Sequence, residues 1–177
     1  AVPAASSVLV HLDPTGASTG LDGAVEVVRG IVEGFDATAA GWPPGTSTLE
    51  VPVRYGGADG PDLDAVAELS GLSRCAVIEL HASTAYRVLF LGFAPGFGYL
   101  GPLPAGLIGP RRASPRVRVP AGSVAIAGQH TAVYPVESPG GWQLLGRTSA
   151  AMWDPRRSPP ALLEPGMLVR FVPEGSR

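Results

Sequence analysis

Four guanidinium groups fall within eight residues, at Arg111, Arg112, Arg116 and Arg118. Guanidinium grips carboxylate or phosphate through two parallel hydrogen bonds, so this run fits an anionic substrate or an acidic partner. If Arg116 to Val119 is extended, both arginines project from one face and both valines from the other. The same residues also read as a solvated edge strand, with Pro110, Pro115 and Pro120 blocking sheet growth. Further on, His130 follows Gly128-Gln129 between two predicted strands, among polar neighbours in an otherwise apolar region. Glu137, Ser138, Trp142 and Gln143 place a carboxylate, a hydroxyl, an indole and an amide on a glycine-rich turn. Phe93, Phe97 and Tyr99 stand on a Gly/Pro loop with Pro95 and Gly96, where turn chemistry alone favours small polar residues. These rings either plug the end of a barrel or line the mouth of a pocket.

Other patterns carry less. Gly16-Ala17-Ser18-Thr19-Gly20 matches the nucleophile-elbow spacing, but Asp13-Pro14 ends the preceding strand well before Ser18, so a capping loop explains it better. His11, His81 and His130 lack metal-ligand spacing and Cys75 has no partner cysteine; no metal is expected. His11, in a strand, and His81, near a helix end, read as structural.

Composition limits the chemistry. All thirteen basic residues are arginine, and the chain has neither lysine nor asparagine. The lysine of a P-loop, a Schiff-base lysine and a carried biotin are therefore all excluded from these 177 residues. Net charge is −2, which leaves no broad basic face for nucleic acid. No apolar run approaches the roughly 20 residues that span a bilayer, and no signal peptide is visible. One cysteine fits a reducing compartment, so a cytoplasmic location is expected.

The elements that must position these residues can be read from periodicity. Ser6 to Leu12 has the apolar density of a buried strand. Leu21, Val25, Val28, Val32 and Phe35 recur as one helical face, with Glu26, Arg29 and Glu33 on the wet side, Ser18 or Thr19 as N-cap and Gly34 near the end. Ala39 to Gly45 breaks the pattern as a linker. Leu49 to Tyr55 alternates as a strand; Asp62 can cap a short helix bearing Leu63, Val66 and Ala67; a second helix from about Ser73 presents Val77, Ile78 and Leu80. Beyond Tyr86 come short strand-like runs, YRVLFLG, RVRVP, SVAIAG, TAVYPV, WQLLGRT and MLVRFVP, at the spacing of a sandwich or small closed barrel. The expected fold class is mainly β, α+β overall. Residues 1–45 form a small α/β domain and linker, and residues 46–177 the β domain.

The stretches FLGFAPGFGYLGPLP (Phe90 to Pro104), PRRASPRVRVPAGSVAIAG (Pro110 to Gly128), YPVESPGGWQLLGRT (Tyr134 to Thr148) and LLEPGMLVRFVP (Leu162 to Pro173) resemble the KipI family. That family is also called allophanate hydrolase subunit one, or the B subunit of 5-oxoprolinase. The resemblance runs over about residues 48–174 and implies a cyclophilin-like β-barrel from about Leu49 onward. Ahead of it the family has a small α/β domain, of which this chain looks shortened at its amino terminus. Two departures stand out. Gly98 replaces a proline of the family, which is expected to loosen the loop, and His130 replaces a glutamine.

The function implied is shared work. Such a protein pairs with a KipA-like companion (the C-type subunit of 5-oxoprolinase), and further subunits complete an enzyme that uses ATP to open a small amide or lactam. Phosphorylation of the amide oxygen would create the leaving group, and hydrolysis follows. The donors for the charged oxygen would be Arg111, Arg116, Arg147, Gln129 and His130, with Glu137 or Tyr134 handling protons. Phe93, Pro95, Gly96, Ser138, Trp142 and Gln143 would contact substrate. The family also suggests two alternatives: KipI itself docks on a histidine kinase as an inhibitor, and a related region of urea amidolyases forms a carboxyltransferase half served by a biotin carried elsewhere.

Overall fold

The computed structural model describes residues 2–3, 7–10, 20–33 and 48–175, in two compact units, Ala1–Gly45 and Thr46–Arg177. In the first unit, β1 (Val2–Pro3) pairs antiparallel with β2 (Val8–Leu9), and α1 spans Gly20–Glu33. The helical period from Leu21 to Val32 is correct, and Arg29 donates to Glu26 at 2.6 Å on the wet side. Its apolar face is not wholly buried, however: Val25 and Val32 are exposed and Val28 is half-buried. Of the strand expected over Ser6 to Leu12, the described residues 7–10 hold Val8–Leu9 as strand, with Leu9 and Val10 exposed. Apolar density signals burial only where another layer covers the element. The N-cap, Gly34, Phe35, the linker and the Gly16–Thr19 loop lie outside the described residues, as does His11.

The second unit is built from β3 (Thr48–Tyr55), α2 (Leu63–Ser70), α3 (Arg74–Ser83), β4 (Tyr86–Leu91), β5 (Gly98–Gly101), β6 (Arg116–Val119), β7 (Ser123–Ala127), β8 (His130–Val133), β9 (Ser138–Gly140), β10 (Gln143–Arg147) and β11 (Leu168–Pro173). Seven of these strands close a barrel in the order β10-β3-β11-β4-β5-β8-β7, and β6 pairs with β9 in a separate two-stranded ribbon. Neighbours run antiparallel except β3 and β11, which pair in parallel from Thr48–Leu168 to Val53–Pro173. Closure leaves the barrel without the open edges that recruit other strands. The mainly β fold and its closed barrel agree with the reading from sequence.

Alternation chooses the inner face. Val51 and Val53 of β3 point inward, as do Tyr86, Val88 and Phe90 of β4, while Glu50, Arg54 and Arg87 point out. Two helices pack against the barrel, with His81 of α3 set on the rings of Tyr86 and Phe171. Leu63, Val66 and Ala67 of α2 are buried, and Ser73 caps α3 by accepting from the Ala76 amide at 3.1 Å. Val77 of α3 is buried, with Ile78 and Leu80 half-buried.

Two strands escape the periodicity. Gly98–Gly101 looked like a loop but is a barrel strand, so Gly98 sits in a ladder opposite Leu91 rather than loosening a turn. Ser138–Gly140 looked like a turn but pairs with β6. Among the described residues no helix is long and apolar enough to cross a membrane.

Candidate active site

An open recess of about 100 Å³ lies on the barrel domain, lined by Phe93, Phe97, Tyr99, Arg111, Tyr134, Pro139, Gly140, Gly141 and Trp142. Its wall is a set of edge-to-face rings. Phe97 meets Tyr134, Trp142 and Tyr99 at centroid separations of 5.4, 5.7 and 5.1 Å, and Phe93 meets Phe97 at 5.2 Å. Such pairs put the positive edge of one ring on the negative face of the next, fixing the wall geometry.

Phe93 is the described non-glycine residue with positive φ, at 72°, and its side chain is 63% exposed. A bulky residue in that region is strained. The turn is held by Gly92 N–H donating to Phe97 O at 3.1 Å and Phe97 N–H donating to Ala94 O at 3.0 Å, and Gly96, at φ 81°, packs where a Cβ would meet Met152 O at 2.8 Å. The strain leaves an aromatic ring standing at the recess rather than folded into the core.

Tyr134 is buried, and burial raises its hydroxyl above the ordinary tyrosine range, opposed by a hydrogen bond from the Trp142 backbone and by the charges of Arg111 and Arg116. The phenol therefore keeps its proton at neutral pH. With the Trp142 amide satisfying the oxygen, that proton is available to a ligand. Gly140 is required beside it, since a Cβ there would collide with the Tyr134 hydroxyl.

Arg111 is exposed and, among the described residues, forms neither a hydrogen bond nor an ion pair. Its neighbours are engaged. Arg112 and Arg116 donate to the same Asp62 oxygen at 2.7 and 2.8 Å. The other Asp62 oxygen accepts from the Leu144 amide at 2.7 Å. Burial alone would raise the Asp62 carboxyl; the hydrogen bonds from Arg116 and Leu144 and the two arginine charges outweigh it, so the group lies below its ordinary range. Asp62 thus makes no side-chain cap to α2, contrary to the expectation from sequence. A carboxylate only 3% exposed gains more from two guanidinium groups than from one helix amide.

Of the residues singled out in the sequence, Phe93, Arg111, Tyr134 and Trp142 come together at the recess. The others are placed elsewhere. Pro95 is exposed on the turn and Gly96 buried beneath it. Arg116 belongs to the Asp62 cluster. Gln129 is exposed at the β7–β8 turn. His130 lies beyond Tyr99, edge-on to it at 5.9 Å, and burial lowers its pKa. Glu137 accepts two hydrogen bonds from Arg118, at 2.8 and 2.6 Å, on the surface. Ser138 Oγ is buried without a partner. Gln143 faces a different groove and reaches Pro110 O at 3.4 Å. Arg147, at the far end of β10, donates to Ala121 O at 2.9 Å.

Phe97, Tyr99, Pro139, Gly140 and Gly141 also line the recess; the sequence shows Phe97 and Tyr99 as rings of the loop but not as substrate contacts. The two-residue spacing of Phe97 and Tyr99 next to Gly98 was the available signal, once β5 is seen as a strand. No group of three or more His, Cys, Asp or Glu that could hold a metal occurs among the described residues.

A family model described as carboxyltransferase domain, subdomain C and D, matches residues 1–163. The chain belongs to that family. It is 59% identical over 131 residues to the 5-oxoprolinase B subunit of Escherichia coli O157:H7, covering 74% of this chain and 60% of that protein. It is 42% identical over 179 residues to the 5-oxoprolinase B subunit of Bacillus subtilis, covering 97% and 73%. Among solved structures, a conserved uncharacterized protein from Pyrococcus horikoshii matches with TM-score 0.70 and 41% identity, over 93% of this chain and 73% of that one. The family likeness seen in the Phe90 to Pro104 and Pro110 to Gly128 stretches rests on these matches. The chain thus spans 60% of the length of the Escherichia coli relative.

Proposed function

We propose that this chain is part of the B subunit of an ATP-dependent lactam hydrolase that opens 5-oxoproline, working with a KipA-like companion in the cytoplasm. One observation carries the reading: an unpaired guanidinium, Arg111, faces an aromatic recess sized for a small ring, in a chain similar to proteins named as the B subunit of 5-oxoprolinase.

5-Oxoproline is a five-membered lactam bearing one carboxylate. Arg111 supplies the matching charge as a bidentate donor. The faces of Phe97, Tyr99 and Trp142 exclude water from the ring, and Phe93 closes the solvent side. The Tyr134 hydroxyl, protonated at neutral pH, donates to an oxygen of the bound lactam. A donor at the carbonyl oxygen helps most as negative charge gathers there, because it is already oriented when the charge develops.

ATP does not fit the recess. A triphosphate needs several donors and a site of roughly 300 Å³ or more, whereas the recess is about 100 Å³ and offers one free guanidinium. ATP supplies the activating phosphoryl group; its binding is assigned to the companion subunits. This chain's part is to bind, orient and dehydrate the lactam.

The test is co-production with the companion subunits and an assay of ATP-dependent glutamate release from 5-oxoproline. Turnover should require this chain. Arg111→Ala should lower kcat/KM roughly a hundredfold, about 3 kcal/mol for a desolvated charged pair, with the complex still assembled. Undiminished turnover in the assembled Arg111→Ala complex would refute the assignment.

A further inference from the structure

We infer that Asp62 is a positioning residue for the recess: its buried carboxylate ties the arginine-bearing wall to the tryptophan-bearing wall and so aims Arg111 at a bound carboxylate. The inference rests on reading the recess as the lactam site, and deepens it by one residue that never touches the ligand.

The connections converge on Asp62 from both walls. Arg112, adjacent to Arg111, and Arg116, which opens β6, share Asp62 Oδ1 at 2.7 and 2.8 Å. Leu144, two residues beyond Trp142, is bound twice: its amide donates to Asp62 Oδ2 at 2.7 Å, and its carbonyl accepts from the Asp62 amide at 3.1 Å. The walls also touch directly, through the Arg112 amide donating to Gly141 O at 2.8 Å and the pairing of Arg116 with Gly140. Arg111, Gly140, Gly141 and Trp142 line the recess, and each lies within two residues of an atom in this cluster.

A single oxygen serving two guanidinium groups has a second consequence. Asp62 is the carboxylate partner of both Arg112 and Arg116, whose Nε and Nη1 respectively stay buried without a partner, and among the described residues Arg111 has no ion pair. The cluster of three arginines and one aspartate carries a net charge of 3 − 1 = +2 beside the recess. Removing the carboxylate would raise that charge to +3. A purely electrostatic role for Asp62 therefore predicts that neutralising it tightens anion binding. A positioning role predicts the reverse, because the Arg112 and Arg116 side chains are released and the segment carrying Arg111 keeps only the backbone bond from Arg112 to Gly141. The two readings differ in sign.

The experiment compares 5-oxoproline with 2-pyrrolidinone, the same lactam without its carboxylate, by calorimetric titration of the intact protein in the assembled complex. Asp62→Asn, checked for folding by circular dichroism and urea denaturation, should weaken 5-oxoproline binding about tenfold while changing 2-pyrrolidinone binding by less than about twofold. Should Asp62→Asn fail to fold, Arg112→Gln keeps the Asp62–Arg116 pair and removes the link next to Arg111; the same selective loss is expected. Unchanged or tighter 5-oxoproline binding in the folded variant overturns the inference, as does an equal loss for both ligands. Arg111→Ala separates this from the underlying site reading. If wild type fails to bind 5-oxoproline, or Arg111→Ala binds it normally, the site itself is wrong whatever Asp62 does.

Discussion

Lowering the pH should destabilise this protein through His81. The imidazole is fully buried in the barrel domain, stacked on Phe171 at 4.7 Å between Tyr55 and Thr131. Thr131 gives its proton to Ala125 O at 3.1 Å, so its oxygen accepts from His81 Nε2–H, and His81 Nδ1 accepts from the Tyr55 hydroxyl at 2.7 Å. A second proton on the ring would leave Tyr55 without its acceptor and bury a charge beside no carboxylate. Burial accordingly holds the His81 pKa down at about 3, against 6.5 when solvated. A depressed folded value means the stabilisation is complete above the unfolded pKa and is lost as pH falls from 6.5 toward 3. Each unit in that window costs about 1.4 kcal/mol, so going from about pH 7.5 to about pH 5 should remove roughly 2 kcal/mol. Urea denaturation at the two pH values measures it. His81→Gln, whose amide can accept from Tyr55 and donate to Thr131, should cost about 1–2 kcal/mol at the higher pH through lost stacking. Between the two pH values it should lose about 2 kcal/mol less than wild type, because position 81 no longer titrates. His130, also lowered by burial, shifts stability in the same direction, so His130→Gln serves as the control for its share. Equal losses in wild type and His81→Gln would refute the account of the buried tautomer.

Phe93→Gly removes backbone strain at φ 72° and little buried surface, so folding stability should hold or rise by up to about 1 kcal/mol while 5-oxoproline affinity falls; a loss of stability by thermal melting would contradict the strain argument. Gly140→Ala drives a methyl into the Tyr134 hydroxyl and should cost about 1–3 kcal/mol by urea denaturation, with a larger proportional loss in ligand titration. Arg147→Ala removes one hydrogen bond to Ala121 O, so about 1 kcal/mol of stability should go while ligand affinity stays within about twofold. A large affinity loss there would return Arg147 to the site.

The barrel strands were legible because Val51 and Val53, or Tyr86, Val88 and Phe90, repeat at the pleat period and meet a covered interior. The start of α3 was legible near Ser73 because what fixes it is local, a cap reaching only to Ala76. Gly98–Gly101 and Ser138–Gly140 were not, since glycine and proline carry no alternation, and partner strands make these segments extended. In the first unit the period gave the helix, but periodicity says only which side is apolar, and the exposure of Val25 and Val32 on that side is not contained in it.

For the site, residue types alone named an anion-binding arginine run and an aromatic loop, and excluded lysine-dependent chemistry outright, while Glu137 or Tyr134 as proton handler followed only from the family resemblance. Which arginine is free was decided by tertiary structure. Arg111 and Arg112 are adjacent and chemically identical, yet Asp62, 50 residues from Arg112 and 54 from Arg116, takes the second and leaves the first. A side chain's charge is set by its own chemistry, but whether that charge is spent or available depends on a partner that only the fold brings near.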